Sequence, residues 1–408
     1  MSLFNYKINL NKIDYFKKKK NIVLLIRRSP GELDWILPLI YNLKKKYNIF
    51  TIFRFKYTLD LIKKDKYLHN IWQNTSFAYT VEPKFHSFFF KFLKHLFKKT
   101  IFNTYFNEIF FNSYYNFSHL RKLILKNKNL EFKVSGVFAE FSSHSPWIKK
   151  IQNLNKHVKI IHFPHTTNIF GNKRNKVKNK NKSKNLYLLI SNNIDYDFWK
   201  IKFPKFNIIE SGYLKYDRIW LNKFLPKKNN IKNKIAVISY SGFHKKINFK
   251  NYKDQVISLM NTLINFKNFK VIFKIHPMTS TKELEEILHN YPKDKWEIST
   301  ENQLFLIYKS DLFISSYSSA SIIDALALNK TPFELWNILD KKFISNFKPM
   351  KLSVYLKNPE YMEKMIKKIL FGKDQKKYEL YFKKKVQNNF FIKNSVNITT
   401  KKILNILD

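Results

Sequence analysis

Short apolar runs recur along this chain at intervals that leave room for one helix between each pair. "NIVLLIRR" (21–28) is followed by "SPGELDWILPLIYNLKKKY" (29–47), a loop and then apolar residues at helical spacing, and then by "NIFTIFRF" (48–55). An apolar run this short, without polar alternation, is the signature of a strand buried on both faces. Such a strand needs helices over it, and a strand–helix–strand order within one sheet makes the strands parallel. The rhythm continues through "VSGVFAEF" (134–141), "HVKIIHF" (157–163), "LYLLISN" (186–192) and "FNIIESGYLKYDRIW" (206–220).

A polar connection, "LPKKNNIKNK" (225–234), separates this series from a second one. The second begins at "KIAVISYSGFH" (234–244) and runs through a helix near 252–267, "FKVIFKIHP" (269–277), a helix at 281–290 and "KWEIS" (295–299). A short helix at 302–309, "DLFIS" (311–315), a helix at 319–329 stopped before Pro332, and "TPFELW" (331–336) complete it, and the remainder is helical. With 408 residues the chain is long enough for two domains. The expected division is 1–222, an acceptor-side Rossmann-like domain, and 223–408, a second Rossmann-like domain with a helical tail.

The formal net charge is +47. The excess is almost all Lys, accompanied by abundant Asn, Ile, Phe and Tyr, which is the mark of a coding bias acting everywhere. Readers of nucleic acid favour Arg for bidentate contacts, and no zinc, helix-turn-helix or RNA-sheet signature occurs, so no specific nucleic-acid partner is expected. The charge favours anionic ligands and anionic membrane surfaces. There are no cysteines, which excludes disulfides, thiolate metal sites and a thiol nucleophile. No run approaches the ~20 apolar residues of a spanning helix, and "KKKK" (17–20) precedes too short an apolar run for a signal peptide. A cytoplasmic protein is expected.

Two segments stand apart. Residues 84–116 are dense in Phe and Tyr with Lys and His interleaved. They fit either core helices or a helix lying on an anionic bilayer. Residues 171–184, "GNKRNKVKNKNKSK", have almost no apolar content and suit a surface loop.

Ligands of open parallel sheets bind at the carboxyl ends of strands, and most of the unusual residues fall there. Ser29, Gly31 and Glu32 follow the first strand, and Pro164 and His165 follow "KIIHF". Gly242 and His244 follow "IAVISYS", and Lys274, His276 and Pro277 close "KVIFKIHP". Tyr317, Ser318 and Ser319 follow "DLFIS". Each has a local explanation: Ser318 or Ser319 as a helix N-cap, Pro277 at a helix entry, Glu32 favoured by a helix dipole. Their joint placement over both halves points to one cleft. Asp195-Tyr196-Asp197 has the spacing of a metal site but reads as a helix start, so no metal is expected.

Two Rossmann-like halves facing a cleft, with a C-terminal helical tail, resemble the GT-B glycosyltransferases. "PHTT" (164–167), "GYLKYD" (212–217), "KIHP" (274–277) and "DLFISSYSSASIID" (311–324) occur in the order of the "HGT", "G-x-P-R-x-D", "K-x-H-P" and "D-x-x-I-T-D-Y-S-S" segments of the teichoic-acid (CDP-glycerol) glycerophosphotransferases. The family's Gly after the first His is Thr166 here, and its Asp before Tyr-Ser-Ser is Ser316. "SPGELDWILPLIYNL" (29–43) resembles the opening of Kdo transferases. These resemblances imply that His276, Ser318 and Ser319 touch donor phosphates, and that His165 lies near the reacting centre. They also imply that Glu32 stands where a general base stands.

A sugar or glycerophosphate leaving a nucleotide develops charge on the departing phosphate. Fixed donors must meet that charge, and Lys274, His276 and the hydroxyls of the serine cluster are of the right type. His165 or Glu32 is the right type of group to take the acceptor proton. The expected activity is therefore metal-independent transfer, without a cofactor, from a nucleotide-activated sugar or CDP-glycerol. The expected acceptor is a surface polysaccharide or lipid-linked glycan at the inner membrane face. A nucleotide-sugar 2-epimerase-like enzyme would share the fold. A non-catalytic basic protein that binds membranes or nucleic acid would share the charge.

Overall fold

The computed structural model describes residues 7–8, 20–27, 29–81, 134–140, 156–164, 184–192, 196–225, 234–240, 249–266, 269–276, 280–315, 319–335, 351–389 and 394–408. The stretch 84–116 and residues 171–183 of the basic loop lie outside them.

The apolar runs become the central strands of two sheets. The first contains β1 (Lys7–Ile8), β2 (Lys20–Ile26), β3 (Tyr47–Phe53), β4 (Ala78–Val81), β5 (Val134–Glu140), β6 (Lys159–Phe163), β7 (Leu186–Ile190) and β8 (Asn207–Glu210). Their order is β1-β4-β3-β2-β5-β6-β7-β8, parallel except for the β1 edge, which runs antiparallel to β4. The second contains β9 (Lys234–Tyr240), β10 (Phe269–Ile275), β11 (Trp296–Ser299), β12 (Leu312–Ser315), β13 (Pro332–Glu334) and β14 (Val354–Tyr355). It is ordered β11-β10-β9-β12-β13-β14 and is parallel throughout. Counted from its own first strand, the second sheet has the doubly wound order 3-2-1-4-5-6. From β2 onward the first sheet follows the same order and adds one strand. The expected α/β architecture of two Rossmann-like domains is therefore the observed one.

Helices cover both sheets. In the first domain α1 (Pro30–Leu43), α2 (Lys56–Lys64), α3 (Lys66–Thr75), α4 (Tyr196–Lys202) and α5 (Arg218–Phe224) follow their strands. Pro30 opens α1 at a position where its missing N–H costs nothing. The helix buries Leu33, Trp35, Ile36, Leu37, Leu39, Ile40 and Leu43, almost its whole circumference. Trp35 stacks on Phe163 of β6, with 5.8 Å between ring centroids. The second domain carries α6 (Phe249–Ile264), α7 (Lys282–Leu288), α8 (Gln303–Lys309) and α9 (Ser321–Ala327). Helix α9 stops earlier than its pattern predicts. Asn329 turns left-handed at φ 55 and ends the segment, and Pro332 opens β13 instead.

The tail forms α10 (Pro359–Ile366), a π-helical turn (Lys367–Phe371), α11 (Gln375–Asn389) and α12 (Ser395–Leu407). Helix α12 returns to the first domain and packs along α1. Gly136 of β5 lets it approach, because a Cβ there would meet Leu407 Cδ2 at 2.6 Å. Asp217 fixes the start of α12. Its Oδ1 accepts the Ile219 N–H at 2.9 Å, capping α5, while its Oδ2 accepts Ser395 Oγ at 3.2 Å and the Val396 N–H at 3.1 Å. Among the described residues no helix is long and apolar enough to cross a membrane.

One carboxylate therefore terminates two helices, one at each end of the second half of the chain. Asp217→Ala removes both caps and is expected to lower stability by about 2–4 kcal/mol. Urea unfolding checks this; a loss within ~0.5 kcal/mol of zero would mean that neither cap matters.

Candidate active site

Both sheets reverse their strand order once, between β2 and β5 and between β9 and β12. At such a point neighbouring connections leave in opposite directions, and a crevice opens beyond the strands' carboxyl ends. The side chains collected there differ between the two domains.

At the first reversal the chemistry is acid and base. Arg27, just past β2, donates through Nη2 to Glu140 Oε2 at the end of β5, at 2.6 Å. Its backbone N–H donates to Glu32 Oε2 at 2.7 Å. Glu32 belongs to the first turn of α1, where the helix dipole favours it, and is 1% exposed. Arg54 ends the neighbouring β3, and its N–H holds the Ile26 carbonyl at 2.8 Å. His162 of β6 lies beside this group with its ring buried. Burial pushes its pKa down to about 4, against the opposing pull of Glu140, so it is a neutral side chain.

At the second reversal the chemistry is cation and hydroxyl. Ser321 Oγ donates to Ser239 Oγ of β9 at 3.2 Å, tying the start of α9 to β9. Ser319 Oγ accepts the Ser321 N–H at 3.3 Å, but α9 starts later than expected: its N-cap is Ala320, without a side-chain cap, and Ser319 stands one residue before it. Ser315 and Ser321 are buried, whereas Ser319 keeps an exposed part. One strand over, the His276 N–H continues the β10–β9 ladder to the Tyr240 carbonyl at 2.9 Å. The residue is exposed, and what burial it has, followed by Lys274, holds its pKa below the usual value. Lys274 Nζ donates to the Thr300 carbonyl at 3.3 Å. Burial lowers its pKa against the pull of Asp65 and Glu301. Glu334 ends β13 and accepts Ser353 Oγ at 2.9 Å.

The two ends meet across a polar junction. The chain turns at Gly212, whose φ of 65 suits glycine, into a 3-10 turn (Leu214–Tyr216). From that turn Lys215 Nζ reaches Asp324 Oδ1 of α9 at 2.7 Å and Asp34 Oδ2 of α1 at 3.4 Å. Tyr216 donates its hydroxyl to Asp324 Oδ1 at 2.5 Å. Beside them, the cap of α8 donates to the cap of α3: Asn302 Nδ2 to Asp65 Oδ2 at 3.0 Å. Tyr67 packs on Phe305 at 4.6 Å. Burial, with Asp324 and Asp65 adding to it and Lys215 opposing, raises the Asp34 pKa to about 6.

Of the residues singled out in the sequence, Lys274 and His276 stand at the carboxyl end of β10, Ser319 stands between β12 and α9, and Glu32 stands at the first reversal. His165, Gly242, Pro277, Tyr317 and Ser318 lie outside the described residues. Arg27, Glu140, Lys215 and Asp324 were not singled out. The signal for Glu140 was its position at the end of an apolar run. Lys215 was hidden because its partners are 181 and 109 residues away. Among the described residues no cluster of three or more His, Asp or Glu side chains forms a metal-ligand set.

The architecture is the two-domain GT-B arrangement. No protein-family model and no curated protein matches the sequence. Solved structures match in fold. A glycosyltransferase from Rickettsia africae superposes with a TM-score of 0.52 at 16% identity, over 95% of this chain and 98% of that one. The UDP-GlcNAc 2-epimerase from Neisseria meningitidis, bound to UDP-GlcNAc, gives 0.56 at 12%, over 94% and 100%. A UDP-glucosyltransferase from Polygonum tinctorium that glucosylates indoxyl gives 0.56 at 8%, over 95% and 98%.

The junction predicts a pH effect. The ordinary Asp34 value is 3.8 and the folded one about 6. Between those values the folded state holds a proton that the unfolded state has released, so stability falls as pH rises through the window, by up to ~3 kcal/mol from this group. Urea unfolding of wild type and Asp34→Asn between pH 4 and 7 checks it. The variant is expected to lose that part of the slope; parallel curves would refute the assignment.

Proposed function

We propose that this chain is a metal-independent GT-B transferase acting on a nucleotide-activated donor, a nucleotide sugar or CDP-glycerol. The observation that carries the reading is the set of Lys274, His276 and Ser319 at the carboxyl side of the second sheet, around the β9/β12 reversal. Such a crevice suits a nucleotide diphosphate. A lysine, an imidazole and a hydroxyl are the groups that stabilise the charge of a departing phosphate. Gly242, Pro277, Tyr317 and Ser318 belong to the segments adjoining those strand ends and complete the donor cradle in this reading. The binding of UDP-GlcNAc by a protein of similar fold supports it.

The acceptor hydroxyl attacks the donor carbon, or the phosphorus of a glycerophosphate. The bond to the nucleotide phosphate breaks, and the acceptor proton passes to His165 or Glu32. In the Glu32 case the Arg27 N–H holds the carboxylate by its Oε2. The acceptor in this proposal is a surface polysaccharide or a lipid-linked glycan, reached at the inner membrane face.

A second reading is a nucleotide-sugar 2-epimerase. The observation favouring it is the pair of carboxylates, Glu32 and Glu140, gathered by one arginine at the first reversal. Two acids near one sugar suit proton removal and return at a carbon.

Thermal unfolding with UDP, UMP, CDP, CMP and GDP tests both. A hundredfold excess over the dissociation constant adds about 2.7 kcal/mol. That gain is expected to disappear in Lys274→Met and His276→Ala. No gain with any nucleotide would overturn the enzyme reading. If UDP binds, incubating UDP-GlcNAc alone separates the two: a C2-epimerised product identifies the epimerase, and donor consumption only with an added glycan acceptor identifies the transferase.

A further inference from the structure

Helix α11 carries a leucine whose surroundings are unusual. Leu380 is 65% exposed, and Tyr381 beside it is 41% exposed. The neighbours of Leu380 on the same helix face, at i−4, i−3, i+3 and i+4, are Lys376, Lys377, Lys383 and Lys384. All four lysines are exposed. The helix cannot roll to hide the leucine, because Phe382 and Val386 on its opposite side are buried at 4% and 9%.

Nearby acids are engaged elsewhere. Glu363 pairs with Lys367 at 2.5 Å, Asp374 with Lys368 at 3.1 Å, and Glu379 accepts Gln375 Nε2 at 3.0 Å. Among the described residues no carboxylate pairs with Lys376, Lys377, Lys383 or Lys384. Among the described residues, these four like charges around an exposed aliphatic side chain share one nearby carboxylate, Glu379, which is bonded to Gln375 instead. A surface that offers negative charge above and hydrocarbon beneath compensates both.

We propose that this face of α11 docks on an anionic lipid bilayer. Leu380 and Tyr381 enter the interface, and the four lysines meet the head groups. A nucleic acid would satisfy the charge but gives the leucine nothing, and the patch contains no arginine to grip phosphates in pairs. The inference is independent of the transferase reading, since α11 contributes nothing to the donor cradle. It places a membrane contact on the second domain.

Flotation of the full chain with vesicles tests it. Vesicles of equal parts phosphatidylcholine and phosphatidylglycerol are compared with pure phosphatidylcholine. Binding is expected only to the anionic vesicles and weakens as salt is raised. Each lysine replaced by glutamine is expected to weaken it roughly fivefold, and Leu380→Asn about tenfold. Melting temperatures and any nucleotide-induced shift are expected to stay unchanged in these surface variants, which separates failure here from failure of the enzyme reading. Three results would overturn the proposal. One is wild-type protein that ignores anionic vesicles. Another is Leu380→Asn binding as wild type while lysine variants fail, the pattern of charge alone. The third is lysine variants that lose duplex RNA but not vesicles.

Discussion

Lys215 bonds at once to an aspartate of α1 in the first domain and an aspartate of α9 in the second. A lysine with only 16% of its side chain exposed is costly unless its charge is compensated. The two domains supply one carboxylate each, so the compensation exists only while they face each other as they do here. The Tyr216 hydroxyl on Asp324 and the Asn302–Asp65 contact add directional bonds that fix the angle. Because α9 begins beside the serine cluster and α1 begins beside Glu32, the same lysine sets how far the cation-and-hydroxyl end of one sheet stands from the acid-and-base end of the other.

Much of this was legible in the sequence. The apolar runs at 21–28, 48–55, 134–141, 186–192, 234–244 and 269–277 became β2, β3, β5, β7, β9 and β10 with ends displaced by only a few residues. A strand buried on both faces leaves a short uninterrupted apolar signal, and the flanking helical patterns separated it from a buried helix. The parallel direction of the strands followed from the same rhythm, since parallel neighbours need a crossover helix, whereas their order in the sheets did not. The edge strands β1 and β14 are two residues each and carry no such signal.

What the sequence concealed was long-range and polar. Asp217 belongs to a segment that resembles a transferase motif, yet its carboxylate caps α5 and anchors α12, contacts 178 and 179 residues away in the chain. The return of α12 to the first domain had no signature, because an amphipathic helix does not declare which apolar surface it will cover. Arg27 was visible only as the end of a strand. Its pairing with Glu140 required two strands, separated by more than a hundred residues, to become neighbours at a reversal. Charge networks are properties of topology, and topology had to be known first.

The central claim is that a nucleotide donor enters at the carboxyl ends of the second sheet. A rival place exists at the opposite, amino end, where Lys234, Asp311, Asn329 and Glu379 line a cavity of about 350 Å³. Hydrogen–deuterium exchange with saturating UDP distinguishes the two most directly. The account predicts slower exchange in peptides covering the ends of β9, β10 and β12 and the start of α9. Protection confined to 328–334 and 375–379, around the amino-end cavity, would contradict it.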